Sequence, residues 1–472
     1  MKGKKSFSTK STIGQRKRTE KIFKLTKKNM SRRIRHYFKS NLDSILENRP
    51  KITYNYLNHH CNDSGACVAL GKETSKINKF FNHFVDFDLV SPIVEELNEG
   101  SNGIVFEIEY RKHSYSAHSI LKTIIYDRYV SDSLAYEYLV GKQVNVFMKQ
   151  YPCFIETYGI FRTPDPKMTS SKYMKRNKKL KELIPMETDN LDTFIKDSCK
   201  YYLQSCILIQ HIKSVKTVFG YFKNFLNFDS NYTKSIMRDE NNYKNSWNLN
   251  EKYLIMSCLY QIYMPLAHLA NYFTHYDLHA GNVLVYIPKE NHYIEYYYHL
   301  LDGTTTNYKS PYLLKMIDYG RSFFKSQTDT EYNSKKILEK VCLAVNECYE
   351  CGIYKGYELL KPLDPLKDPD PYSQFYIVSS EANISHDLNL LYNFQEFLGL
   401  TVKYIEVSGT PACTDKQPGI INNVMDAFEE LNRQINSPVF KQWNDTAYAE
   451  MTLFGEMHIY ANGRDAVFKP VL

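Results

Sequence analysis

The chain has 472 residues, of which 43% are hydrophobic and 24% charged, a balance that places it among soluble globular proteins rather than disordered chains. No stretch approaches the roughly 18 consecutive apolar residues of a membrane-spanning helix, and the ten cysteines are scattered with no secretory signal ahead of them, so reduced thiols in a cytoplasmic or nuclear setting are expected. The formal charge of +8 is uneven: residues 1–39 hold 15 Lys/Arg against the single acid Glu20, a net +14 that leaves the remainder at −6.

Residues 1–50 read as a basic tail. Met1–Thr19 is polar and basic, the composition of a disordered segment. From Lys28 to Leu46 the apolar residues Met30, Ile34, Phe38, Leu42 and Leu46 recur every four positions with Lys and Arg between them, which predicts a basic amphipathic helix. Such a helix suits nucleic acid, an acidic surface such as a membrane, or a calmodulin-like groove; it equally suits packing on the main domain with a solvated basic face.

Beyond a loop around "HHCNDSGACVALGKETSK", the runs "LVSPIVEEL", "GIVFEIEY" and "HSILKTIIY" read as neighbouring antiparallel strands. "DSLAYEYLVGKQVNVFMKQ" reads as a helix, and "FIETYGIFR" and "SCILIQHI" as further strands. A Pro/Lys/Ser-rich insertion lies near 163–182. From about Ser214 helical periodicity dominates, most clearly in "EKYLIMSCLYQIYMPLAHLANYF". The pattern predicts an α+β protein of two lobes, an antiparallel β-sheet lobe with one main helix over 85–213 and a mostly helical lobe with a C-terminal extension over 214–472.

Candidate chemistry follows the same order. Gly100 and Gly103, in "LNEGSNGIVFEI", flank a tight turn between strands, with Val105 after them. Glycine lets backbone amides approach phosphate oxygens, although a Gly-containing hairpin is the commoner use of such a turn. Lys122 sits inside an apolar strand, where a charge needs a partner or must snorkel to the surface. Glu137 on the following helix is the candidate partner, and a lysine so held can reach the α- and β-phosphates of a nucleotide. In "THYDLHAGNVLVY", Asp277 and Asn282 share a loop: the carboxylate suits a hydroxyl proton, and the amide oxygen suits Mg2+. Asp318, in "LLKMIDYGRSFF", can bridge a metal to phosphates. Together these residues form the series that phosphoryl transfer needs.

On these motifs the sequence resembles the protein-kinase superfamily over about Glu95–Asp387. "GSNGIV" is similar to the Gly-rich loop, "SILK" to the third-strand lysine motif, Glu137 to the helix glutamate, "HYDLHAGN" to the catalytic loop and "DYG" to the metal-binding motif. The "DLHAGN" form is similar to haspin-like protein kinases and to kinases of antibiotics and choline, and the insertion "HYIEYYYHLLDG" is similar to that of haspin. "YEYLVGKQVN" and the Tyr/Asn/Lys-rich composition resemble serine/threonine kinases of large DNA viruses, which would place the protein in the host cytoplasm or virion. The resemblance implies a bilobal fold with ATP and Mg2+ as cofactors. It assigns Gly100, Gly103, Val105 and Lys122 to the nucleotide, Asn282 and Asp318 to the metal, and Asp277 to the acceptor hydroxyl.

The sequence also departs from the family pattern. Asn98 replaces the first loop glycine, and Ile120 a small residue above the adenine. Tyr276 stands where many regulated kinases carry an arginine that pairs with an activation-segment phosphate, so activity independent of that phosphorylation is expected. His279 stands where a lysine often neutralises the γ-phosphate; the histidine either does this when protonated or hydrogen-bonded, or is a core-facing ring that supports the loop. No "APE" follows Asp318, and Asp387 fits an aspartate that anchors the catalytic loop from a central helix. Cys348 and Cys351 form a single C-x-x-C without a second pair, and His59, His60, Cys61 and Cys67 do not complete one, so ordinary cysteines are expected.

Three functions fit: a serine/threonine protein kinase with a protein substrate, a small-molecule phosphotransferase of the antibiotic or choline type, and a pseudokinase scaffold. The basic arm and the haspin-like insertion favour a macromolecular substrate. The usual mark of a pseudokinase, a lost lysine or metal aspartate, is not present.

Overall fold

The computed structural model of the protein describes residues 88–89, 95–99, 103–112, 115–124, 133–164, 183–212, 215–223, 249–341, 379–402 and 419–471. The amphipathic stretch Lys28–Leu46, the His59–Cys67 group, Gly100, most of the insertion and the Cys348/Cys351 pair lie outside them.

The alternating runs pair into one antiparallel sheet. Its strands are β1 (Asp88–Leu89), β2 (Glu95–Glu99), β3 (Gly103–Lys112), β4 (Tyr115–Ile124), β5 (Thr157–Arg162), β6 (Ile184–Pro185) and β7 (Ser205–Gln210). They run in the order β1-β3-β4-β7-β5-β6, with β2 also on β3. The two-residue period buries Ile104, Phe106 and Ile108 of β3 with Leu121 of β4, and turns Lys122 to the other face beside its register partner Val105.

Helix α1 (Leu134–Met148) starts at Ser133, whose hydroxyl accepts the Tyr136 N–H. It lies so close to β5 that a Cβ on Gly141 would meet Thr157 Oγ1 at 2.2 Å. Absence of a side chain there lets the helix bring Glu137 down to the sheet. Helix α2 (Leu191–Lys200), capped by Asn190, precedes β7 and escaped the sequence reading. Helix α3 (Val218–Phe222) follows β8 (Lys216–Thr217), and α4 (Leu249–His268) is the long apolar helix expected from the sequence.

The expectation of a mostly helical second half is corrected. Besides α3, α4, α5 (Val424–Ile435), α6 (Pro438–Ala447) and the short helices Ser334–Leu338, Asn389–Tyr392 and Gln395–Leu398, that half contains β9 (Phe273–Thr274), β10 (Val283–Tyr286), β11 (His292–His299), β12 (Thr305–Ser310), β13 (Leu313–Met316) and β14 (Phe323–Phe324). It further contains β15 (Thr401–Val402), β16 (Ile420–Ile421), β17 (Thr452–Tyr460) and β18 (Val467–Pro470). Four of these form a sheet in the order β12-β11-β17-β18, with β11 and β17 parallel. Three of its buried positions are tyrosines, Tyr296, Tyr298 and Tyr308, beside Ile294, Met457 and Ile459. A phenol is an apolar body with a polar tip, so it hides a strand alternation that Val or Ile would have displayed. The edge of β12 is covered by a side chain: Asn444 accepts the Lys309 N–H at 2.8 Å and donates to the Lys309 carbonyl at 2.9 Å.

The fold is a mixed α+β arrangement with antiparallel sheets and several helices. No helix among the described residues is long and apolar enough to cross a membrane. Cys153, Cys206 and Cys258 are buried free thiols, whereas Cys199 is disulfide-bonded, which departs from the expectation of reduced thiols.

Candidate functional site

Strand β4, helix α1 and the loop after β13 meet at Lys122. Its Nζ donates to both carboxylate oxygens of Glu137, at 3.0 and 2.8 Å, and to Asp318 Oδ1 at 2.7 Å. Burial works to lower the ammonium pKa, but Asp318 and Glu137 more than offset it, so Lys122 is held charged. Burial likewise works to raise Asp318, and Lys122 outweighs it and keeps the carboxyl below its ordinary range. Buried charges are tolerable only with this degree of pairing. The Asp318 side chain remains 37% exposed, so its carboxylate is still open to a ligand.

Asp318 takes a left-handed backbone, φ +68°, a region that aspartate enters more readily than most residues and that is held here by constraint from its surroundings. Both neighbours supply it. The phenol of Tyr319 donates to the Met316 carbonyl at 2.8 Å and accepts the Ile155 N–H at 2.9 Å. On the other side, the Ile317 carbonyl lies 3.0 Å from His275 Nε2. His275 Nδ1 accepts the Asp277 N–H at 3.3 Å, so the ring proton is on Nε2 and is donated to Ile317. Burial lowers the His275 pKa and favours this neutral form. One imidazole thus ties the Asp277 loop to the Asp318 turn.

The loop itself hangs from Asp387, whose two oxygens accept the His275 N–H at 2.7 Å and the Tyr276 N–H at 3.0 Å. Asp387 sits in the 3-10 turn His386–Leu388 rather than on a long central helix. Burial pushes its carboxyl up to about 7 against the pull of those two donors. Tyr276 has φ +60°; its hydroxyl donates to the Glu381 carbonyl at 2.8 Å and its ring lies 4.9 Å from His386. Asn282 Nδ2 donates to the Asp277 carbonyl at 2.9 Å and to Asp277 Oδ2 at 3.2 Å. The amide nitrogen is thereby spent inside the loop, which leaves Asn282 Oδ1 as its acceptor for an incoming group.

Lys122, Glu137 and Asp318 therefore form one contact group and Asp277, His279 and Asn282 another, joined through His275. Val105 lies opposite Lys122 on β3, and Gly103 opens that strand. His279 is not core-facing, its side chain being 45% exposed. Asn282 Oδ1 and the Asp318 carboxylate are hard oxygen donors of the kind Mg2+ takes, alongside phosphates and water. Among the described residues no group of three His, Cys, Asp or Glu could hold a metal unaided. Sequence reasoning missed His275 and Tyr319, although both stand within two residues of a residue that it singled out.

Neither a protein-family model nor a curated protein matches the chain. Among solved structures it is similar to a crystal structure of a kinase domain at 12% identity and a TM-score of 0.26, covering 58% of this chain and 68% of that one. A likeness of that degree carries no argument about fold or chemistry.

Proposed function

We propose that the protein is an ATP-dependent phosphotransferase, a serine/threonine protein kinase that moves the γ-phosphate of ATP to a protein hydroxyl. The observation that supports this reading is the ion-paired junction of Lys122 with both Glu137 and Asp318, one histidine away from Asp277. A lysine held by Glu137 is presented toward phosphate oxygens rather than left to solvent, with Gly103 and Val105 beside it on the sheet. On this reading 85–213 is the nucleotide lobe and 214–472 the acceptor lobe of a bilobal fold.

Asp277 accepts the proton of the acceptor hydroxyl while the new oxygen–phosphorus bond forms and the bond to the departing ADP oxygen breaks. Asn282 fixes the rotation of that carboxylate through Oδ2. Asn282 Oδ1 and Asp318 would hold Mg2+, which when bound offsets negative charge on the phosphates. Positioning and electrostatics carry the rate rather than covalent catalysis.

A macromolecular acceptor is favoured by the basic arm, whose net +14 suits an acidic protein surface or nucleic acid. Tyr276 ends in an uncharged bond to the Glu381 carbonyl, which supports an activity independent of activation-segment phosphorylation. Asp277→Asn should cut 32P transfer from γ-labelled ATP to mixed histones by about 10²–10⁴-fold, with ATP binding retained. Equal transfer by variant and wild type refutes the assignment.

A further inference from the structure

Gly281 leaves little room beside it. A Cβ there would lie 2.7 Å from His279 Cε1 and 2.9 Å from His279 Nδ1. The imidazole occupies that space, and the Gly281 N–H donates to Nδ1 at 3.0 Å. A ring nitrogen that accepts carries no proton, so the proton of the neutral ring is on Nε2.

That nitrogen faces Asp277 Oδ1 at 3.9 Å, too far for a direct hydrogen bond. The other carboxylate oxygen is already taken by Asn282. An acceptor, Oδ1, and a donor, Nε2–H, therefore stand side by side on side chains 29% and 45% exposed. A single oxygen can lie at an ordinary hydrogen-bond length of about 2.8 Å from both. A hydroxyl meets both demands at once, since it gives its hydrogen to the carboxylate and takes one on a lone pair. The ammonium of a lysine side chain has no acceptor to offer.

We propose that Asp277 Oδ1 and His279 Nε2–H form a two-point clamp for the acceptor oxygen, with Gly281 fixing the imidazole, and that this clamp selects alcohols over ammonium groups. The inference rests on the phosphotransferase reading above and adds to it the residue that holds the acceptor hydroxyl together with Asp277. In the transfer step the hydroxyl proton passes to Asp277 and its oxygen binds phosphorus as ADP leaves. His279 keeps its proton throughout.

The test uses the full-length protein, with ATP hydrolysis and phosphate transfer to mixed histones as readouts. Glutamine places an amide near Nε2, whereas asparagine places one near Nδ1. His279→Ala and His279→Asn should lose about 10- to 100-fold in kcat with KM for ATP unchanged, and His279→Gln should recover most of the loss. Rescue by asparagine and not by glutamine would mean that the ring only props the loop, and overturns the clamp. Gly281→Ala should match His279→Ala and add nothing in the double variant; additive losses overturn the steric link. NMR of the 15N-histidine-labelled protein without nucleotide should show the Nε2–H form for His279, and an Nδ1–H form refutes the geometry. Product histones should carry acid-stable phosphoserine or phosphothreonine, and acid-labile phospholysine at a comparable rate refutes the selectivity. Full activity in every His279 variant with a dead Asp277→Asn sinks the clamp alone. Full activity in Asp277→Asn as well, or none in the wild type, sinks the phosphotransferase reading with it.

Discussion

Lys122 of β4, Glu137 of α1 and Asp318 of the loop after β13 meet at 2.7 to 3.0 Å. Tyr296, Tyr298 and Tyr308 come from one sheet and meet ring to ring, 5.4 to 6.2 Å apart and nearly parallel, with Tyr260 edge-on to Tyr298 at 4.9 Å. The tyrosine rings are fully buried and the charged group is buried except for the part-exposed Asp318, and the physical terms differ. Removing three charges from water costs about as much as their pairing returns, so the first cluster adds little to stability. The rings of the second bury large apolar areas and add aromatic contacts of roughly 0.5–1.5 kcal/mol each. Substitution in the first region should strike activity, and in the second stability.

The largest expected effect tests the first half of that contrast. Asp318→Asn removes one charge and keeps a residue that tolerates the left-handed backbone at φ +68°. Phosphate transfer should fall by about 10³-fold while the melting temperature stays within about 2 °C, since Lys122 retains Glu137. A variant that melts far lower but, once folded, transfers phosphate normally would reverse the contrast.

His386 belongs to neither cluster. Its ring packs on Tyr276, and neither nitrogen has a hydrogen-bond partner among the described residues. Burial pulls its pKa down to about 4, from an ordinary value near 6.5. A histidine depressed in the fold contributes fully above the unfolded pKa, and that contribution is lost as pH falls from 6.5 toward 4, on the order of 3 kcal/mol in all. Asp387, pushed up to about 7, has the opposite sign and favours the fold as pH falls through that same window. The two largely cancel in the wild type. His386→Phe leaves only the Asp387 contribution, so its urea midpoint should gain on the wild type steadily between pH 7 and pH 4.5. A difference constant with pH would show that His386 does not titrate between the two states.

The charged cluster was the more legible of the two regions in the sequence, because a lysine inside an apolar strand demands a partner and Glu137 lies one element away. The tyrosine sheet was hidden. Parallel pairing of β11 with β17 joins residues about 160 positions apart, and no local pattern announces it. Tyrosine also reads ambiguously as strand or helix face when its hydroxyl is uncounted. Within the candidate loop, residue types were readable and their orientations were not. The place of the His279 proton depends on the Gly281 amide; Asp387, the carboxylate that suspends the loop, was named by the family resemblance, while the turn that carries it, more than a hundred residues later, was not. Such contacts are set by tertiary placement, which spacing along the chain does not encode.

The smallest effects give the cleanest comparison, because one oxygen can be deleted in each region. Tyr296 donates to the Tyr312 carbonyl at 2.8 Å, and that carbonyl also accepts from Gln261 Nε2 at 3.0 Å. Tyr296→Phe therefore leaves the carbonyl with a partner, and should cost about 1 kcal/mol with no change in transfer. Tyr136, one residue before Glu137, donates to the Ser322 carbonyl at 2.7 Å and lies 2.7 Å from Ser334 Oγ, which supplies the proton to the phenol oxygen. Ser334 Oγ in turn accepts the Phe324 N–H at 2.7 Å. The phenol thus fastens α1 to the segment after Asp318, where Tyr332 adds a second tie to the Leu139 carbonyl. Tyr136→Phe should cost a similar 1 kcal/mol, yet raise KM for ATP several-fold, since the helix that aims Glu137 at Lys122 loses a fixed point. Matched denaturation midpoints with unequal KM values would place the functional strain in the charged region. Equal KM values would mean that packing and the Tyr332 tie suffice to hold α1 and that the Tyr136 hydroxyl adds nothing to the aim of Glu137.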